Sequence, residues 1–209
     1  MATGLERAYE SSISNSIPTA SRADIPFTIR LIEGIDESYP STLPLHQIPQ
    51  YIAERKALAY QSSLAEDEVV LTADTVVIVG NKVLGKPHSP EEARAMLHEL
   101  SGREHQVSTG VALMGADGRG TSFVATTRVW FASLSEEQID YYLRSYHPYD
   151  KAGAYGIQEW IGYVAIEKIE GSFYNVMGLP VHLVYQTLQK WQVCEKKFVP
   201  LPTVIVDKE

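Results

Sequence analysis

Apolar and polar side chains alternate from Phe27 to Ile32, FTIRLI, the two-residue period of a strand. Residues 38–49 contain Pro40, Pro44 and Pro49 and read as a loop. Pro49 suits the first turn of a helix running to about Ser62, with Ile52, Leu58 and Ala59 turned inward. The segment Glu68 to Val79, EVVLTADTVVIV, has two apolar runs and reads as a strand buried on both faces. The polar triplet Thr72-Ala73-Asp74 interrupts it, and Gly80-Asn81 permits a tight turn into KVLGKP.

Ser89-Pro90-Glu91-Glu92 is a helix start, with a serine cap, proline at the first position and acids at the positive dipole end. That helix is expected to stop at Ser101-Gly102. Residues 105–114 and 122–131 read as a hairpin around Gly115-Ala-Asp-Gly118, and Ser135 starts another helix carrying Ile139, Tyr142 and Leu143. Residues 163–169 read as a strand, and Val181 to Trp191 as a closing amphipathic helix with Leu183, Val184 and Leu188 inward. The tail beyond Cys194 holds Pro200 and Pro202 and reads as partly extended. The pattern predicts an α/β fold in a single domain over 1–209, with an irregular segment at 1–25 and a tail at 192–209.

Composition narrows the classes. A chain of 209 residues with 44% hydrophobic residues can bury a core without disulfides, and its single cysteine, Cys194, excludes an internal one. A formal net charge of -8 argues against a nucleic-acid surface but not against one phosphorylated ligand in a cleft. No apolar run approaches a membrane span, and MATGLERAYE lacks the order of a secretory signal, so a cytoplasmic protein is expected. The six histidines show no metal-ligand spacing.

Four segments carry candidate chemistry. Asp74 sits inside an apolar strand, where a charge costs desolvation unless it is paired or ligated. It reads either as a functional carboxylate or as an aspartate capping a strand end. In Gly85-Lys86-Pro87 the backbone is constrained around one lysine, able to meet a phosphate, although the segment is no P-loop and GKP is common in surface turns. Asp150 to Gln158, DKAGAYGIQ, combines small residues with an amide able to read a base edge. Gly171 to Pro180, GSFYNVMGLP, is a turn-rich entry to the last helix, either an anion site or plain packing.

Together ADTVV, LGKP, LSGREHQVSTGV, DKAGAYGIQ and NVMGLP, in this order, resemble the Maf family of nucleotide pyrophosphatases from about residue 27 to 191. The resemblance implies an elongated mixed sheet with flanking helices in two lobes around a cleft, related to inosine triphosphate pyrophosphatases, and a homodimer. It implies hydrolysis of dTTP or UTP to monophosphate and pyrophosphate, with a divalent cation, Mg²⁺ or Mn²⁺. By the same resemblance Asp74 is the proton acceptor, and Glu37, Lys56 and Lys86 line the cleft; the chemistry of triphosphate hydrolysis then suggests Asp74 and Glu37 at the metal and Lys56 and Lys86 on phosphate oxygens. Thr75 and Gln158 choose the base, and Asp150 and Lys151 line the cleft.

The N-terminus departs from the family's Leu-Ala-Ser-x-Ser-Pro-Arg-Arg turn. Here the region reads SISNSIPTASRADIPF, so Ser14 and Ser16 stand as its substrate-binding remnant and the arginine pair is missing. Glu159 replaces the family's usual glycine and is expected to face water. The missing turn keeps open a second class, a nucleotide-binding regulatory protein linked to septum formation with little turnover. A preference for 7-methyl-GTP is a third possibility, against which Thr75 speaks.

Overall fold

The computed structural model describes residues 27–193 and 203–207. Seven strands form one mixed sheet: β1 (Phe27–Arg30), β2 (Glu68–Val79), β3 (Lys82–Leu84), β4 (Glu104–Gly115), β5 (Gly120–Phe131), β6 (Ile166–Glu170) and β7 (Thr203–Asp207). Their order is β1-β7-β2-β4-β5-β6, with β3 alongside β2. β7 runs parallel to both β1 and β2, and the remaining pairs are antiparallel. The helices are α1 (Ile48–Tyr60), α2 (Pro90–Leu100), α3 (Glu136–Tyr146), α4 (Trp160–Val164), α5 (Phe173–Val176) and α6 (Val181–Val193).

Local chemistry sets the helix ends. Ser89 caps α2 through the Glu92 amide, and Ser135 with Gln138 forms a reciprocal capping box on α3. Gly102, at φ 67, turns the chain out of α2 in a conformation that other residues resist.

Because side chains alternate across a strand, β2 has two different faces. On one face Val70, Val76 and Ile78 pack under α1, with Ala53, Ala57 and Tyr60 at one end and Ile48 and Ile52 at the other. On the opposite face there are two separate cores. Val69 and Leu71 join Val184 and Leu188 of α6, whereas Val77 and Val79 join Leu97, Leu100, Ile139 and Tyr142 of α2 and α3. Burial falls between them, at Ala73, Asp74 and Thr75. Two lobes therefore share one long strand, and Ala73-Asp74-Thr75 marks their junction.

Two expectations need correcting. Leu58 and Ala59 face outward rather than inward, because the buried stripe of α1 runs through Ile52, Ala53, Lys56, Ala57 and Tyr60. A stripe traced through apolar residues alone passes over Lys56 and takes the wrong phase. Residues 163–164 belong to α4, not to a strand, and β6 begins at Ile166. There, Gly162 allows a turn whose backbone comes so close that a Cβ would lie 1.8 Å from the Ile157 carbonyl oxygen.

His105, on β4, lies in the core. It is 2% exposed, its Nε2 is 2.8 Å from the Tyr155 hydroxyl, and the Phe131 and Tyr155 rings meet it edge-on. Burial pushes the imidazole from 6.5 down to about 4. The fold accepts the neutral ring, so below the ordinary value only the unfolded chain takes up the proton. Stability is therefore full at neutral pH and is expected to fall by roughly 3 kcal/mol as pH drops from 6.5 towards 4. Urea unfolding at pH 7 and pH 4.5 checks this, with His105→Gln losing that share of the slope.

Candidate active site

Asp74 is central to β2, opposite Gly110 of β4. Its side chain is 11% exposed and lies on the face covered by α1. Three contacts bring the helix onto that face. The Thr72 hydroxyl donates to the Ala53 carbonyl at 2.6 Å. Gly110 lets the first turn of α1 close in: a Cβ there would lie 2.1 Å from the Gln50 nitrogen and 2.2 Å from the Pro49 carbonyl carbon. Lys56, 1% exposed, then reaches the Asp74 carboxylate at 3.2 Å.

A second carboxylate completes the cluster, with Glu37 Oε1 3.1 Å from Lys56 Nζ. The preceding residue holds that segment in place. Asp36 accepts the Ser38 amide at 2.9 Å and pairs with Arg55 at 3.0 Å, so adjacent residues of α1 grip adjacent acids of the loop. The Ser38 amide, followed by Arg55, holds the Asp36 carboxyl below the ordinary aspartate value. Two carboxylates thus meet one buried ammonium.

Among the described residues the two edges of β2 are paired differently beside this cluster. One edge of β2 pairs with β4 from Val69 to Ile78. On the other edge β7 pairs with Glu68 to Leu71, and β3 pairs with Val77 to Val79. Among the described residues no strand pairs with that edge between Thr72 and Val76, and Asp74 is in the middle of the gap.

Thr75 faces the other way, towards the two loops that cover the second face. A Cβ on Gly178 of NVMGLP would be 3.5 Å from its hydroxyl, and one on Gly153 of DKAGAYG would be 3.0 Å from Val77 Cγ2. The loop carrying exposed Lys86 joins them, because the Gly85 carbonyl accepts the Gly153 amide at 3.0 Å. β3 is antiparallel to β2 with Leu84 opposite Val77, so the chain leaving β3 heads back towards the level of Thr75.

Matching to known families decides the class: the model described as "Maf-like protein" covers residues 20–191. The chain belongs to the Maf family. A protein of Parabacteroides distasonis named dTTP/UTP pyrophosphatase is 55% identical over 166 residues, spanning 79% of this chain and 86% of that protein. Proteins of the same name from Porphyromonas gingivalis and Flavobacterium johnsoniae are 53% and 45% identical over 168 residues, each spanning 79% of this chain and 84% of its own length.

In this Maf chain the residues expected from sequence fall into two groups on opposite faces of β2. Asp74, Lys56 and Glu37 meet on the α1 face. Thr75 lies on the other face with the loop of Gln158, which the Lys86 loop joins from the β2 edge, and Gln158 is half-buried just before α4. Ser14 and Ser16 lie outside the described residues. Glu159 departs from expectation: it does not face water. Tyr142, fully buried, donates its hydroxyl to the Glu159 carboxylate and accepts the Gly156 amide at 3.0 Å, while Lys151 lies 3.3 Å from Glu159 and 2.8 Å from Asp150. Burial, with Glu159 beside it, raises the Tyr142 phenol far above its ordinary value, so it stays a donor.

Sequence reasoning missed Asp36, Arg55, Thr109 and Asn175. Thr109 stood within the STGV stretch, but only the β2–β4 register sets it opposite Thr75.

Proposed function

We propose that this Maf protein hydrolyses dTTP and UTP between the α- and β-phosphates, releasing the nucleoside monophosphate and pyrophosphate. The observation that carries the reading is the placement of Asp74: a carboxylate held by a buried lysine, between two lobes, at the centre of a stretch of β2 edge that no described strand pairs. Asp74 takes the proton of the attacking water. Lys56 orients that carboxylate, in addition to its expected part in holding phosphate, and exposed Lys86, on the loop that leaves β3 along the β2 edge rather than over either face, meets the phosphate oxygens of the leaving pyrophosphate. The base lies on the opposite face, where Thr75 and Gln158 read its edge, and the sugar crosses the β2 edge between them.

The residues fit a divalent cation, Mg²⁺ in this reading, with Mn²⁺ suited to the same ligands. Asp74 and Glu37, both paired with the Lys56 ammonium, offer hard oxygen donors close together. Among the described residues no group of three or more His, Cys, Asp and Glu side chains forms a protein-only metal site. That suits an ion shared between these carboxylates and the substrate's phosphates. Such an ion, when bound, neutralises charge on the phosphate oxygens.

A panel of dTTP, UTP, CTP, GTP and 7-methyl-GTP, with and without Mg²⁺, tests the reading by pyrophosphate release. Metal-dependent release favouring dTTP and UTP is expected. Binding of dTTP without release, or preference for 7-methyl-GTP, contradicts it.

A further inference from the structure

We infer that Thr109 and Asn175 fix the direction of the Thr75 hydrogen bond, so that Thr75 presents only an acceptor to the base and selects pyrimidines bearing an imide N3–H. The inference rests on the proposed hydrolysis of dTTP and UTP and names how the base is chosen.

Three oxygens stand in a row. Thr75 Oγ1 is 3.0 Å from Thr109 Oγ1, and Thr109 Oγ1 is 3.1 Å from the Asn175 main-chain carbonyl. Each hydroxyl has one hydrogen, and the carbonyl has none. With no hydrogen between Thr109 and the carbonyl, two lone-pair-bearing oxygens would face each other at 3.1 Å inside the protein, Thr109 and Asn175 both being 0% exposed. The Thr109 hydrogen is therefore committed to Asn175. In the remaining bond Thr109 must accept and Thr75 must donate. With its hydrogen spent, half-buried Thr75 offers only lone pairs towards the loop that contains Gly178.

The end of this relay is anchored. The Asn175 side-chain amide donates to the Val107 carbonyl and to the Thr127 hydroxyl, both at 3.0 Å. Thr127 in turn accepts the Ser172 amide at 3.0 Å and donates to the Ser172 carbonyl at 3.2 Å. The carbonyl that sets the hydrogen's direction is thus locked to β4 and β5.

An acceptor at this point matches the N3–H of uracil and thymine. Cytosine carries a bare nitrogen there, and its lone pair would oppose that of Thr75. Rings of equal size are thereby separated by hydrogen-bond polarity alone, which discriminates strongly because a wrong partner leaves a desolvated polar group unpaired.

The test is the ratio of kcat/KM for UTP over CTP in wild type, Thr109→Val and Thr109→Ser, together with dissociation constants for the α,β-imido analogues of both nucleotides. Thr109→Val frees the Thr75 hydrogen to turn towards the ligand, and the ratio is expected to fall by about tenfold or more. Thr109→Ser restores the relay and keeps the ratio. A loss of packing alone would lower both substrates together and leave the ratio unchanged. An unchanged ratio in Thr109→Val, or a wild type that does not prefer UTP, overturns the inference. If Thr109→Val does not fold, Thr109→Ala carries the same comparison, and Thr75→Val must also lose the ratio. Preferential binding of the UTP analogue that depends on Thr109, without hydrolysis by the wild type, would sink the hydrolase reading and leave the relay standing.

Discussion

Asp74→Asn is expected to lower kcat for dTTP by roughly 10³-fold, the usual worth of a positioned general base, while KM changes little. Asparagine keeps the size of the side chain and an oxygen that accepts from Lys56, but it cannot take a proton from water. Lys56 retains Glu37 at 3.1 Å, so the buried ammonium keeps a charged partner and the fold survives with a small loss of melting temperature. Steady-state kinetics together with thermal unfolding separate the two effects. Near-normal turnover in a folded variant would remove Asp74 from the chemistry.

Gly110→Ala is expected to be strongly destabilising. The added methyl would lie 2.1 Å from one backbone atom of α1 and 2.2 Å from another, and backbone at a helix start cannot swing aside as a flexible side chain can. The helix must shift, at a cost of about 3 kcal/mol or more, equivalent to a fall in melting temperature on the order of 10 °C. Lys56 rides on the same helix, so turnover falls together with stability. Differential scanning calorimetry measures the first, and an unchanged melting temperature would show that the close approach is not required.

Much of the fold was legible because burial and period agree. The apolar runs of EVVLTADTVVIV, the capping serines at 89 and 135 and the turn at residues 115–118 each dictate local structure without help from distant residues. The reading failed where function intrudes on pattern. Lys56 lies in the buried stripe of α1, so an apolar stripe alone turned Leu58 inward. β7 shows in the sequence only as partly extended tail, because nothing local reveals a strand inserted between β1 and β2. Asp74 was visible as a charge in an apolar strand, and Glu37, Lys56 and Thr75 came with the family resemblance. The partners that give them direction were not visible, since the Asp36–Arg55 grip, the Thr109 relay and the Tyr142–Glu159 bond depend on register and loop packing. Glu159 shows the limit clearly: one residue beyond Gln158, a carboxylate that looks exposed in sequence is bound to a phenol on α3.

The most direct measurement is product analysis of dTTP hydrolysis by the wild-type protein with Mg²⁺ in ¹⁸O-labelled water, repeated with Asp74→Asn. Attack at the α-phosphorus next to Asp74 predicts labelled dTMP and unlabelled pyrophosphate from the wild type, and almost none from the variant. Formation of dTDP and inorganic phosphate, or equal dTMP from both proteins, would contradict the account.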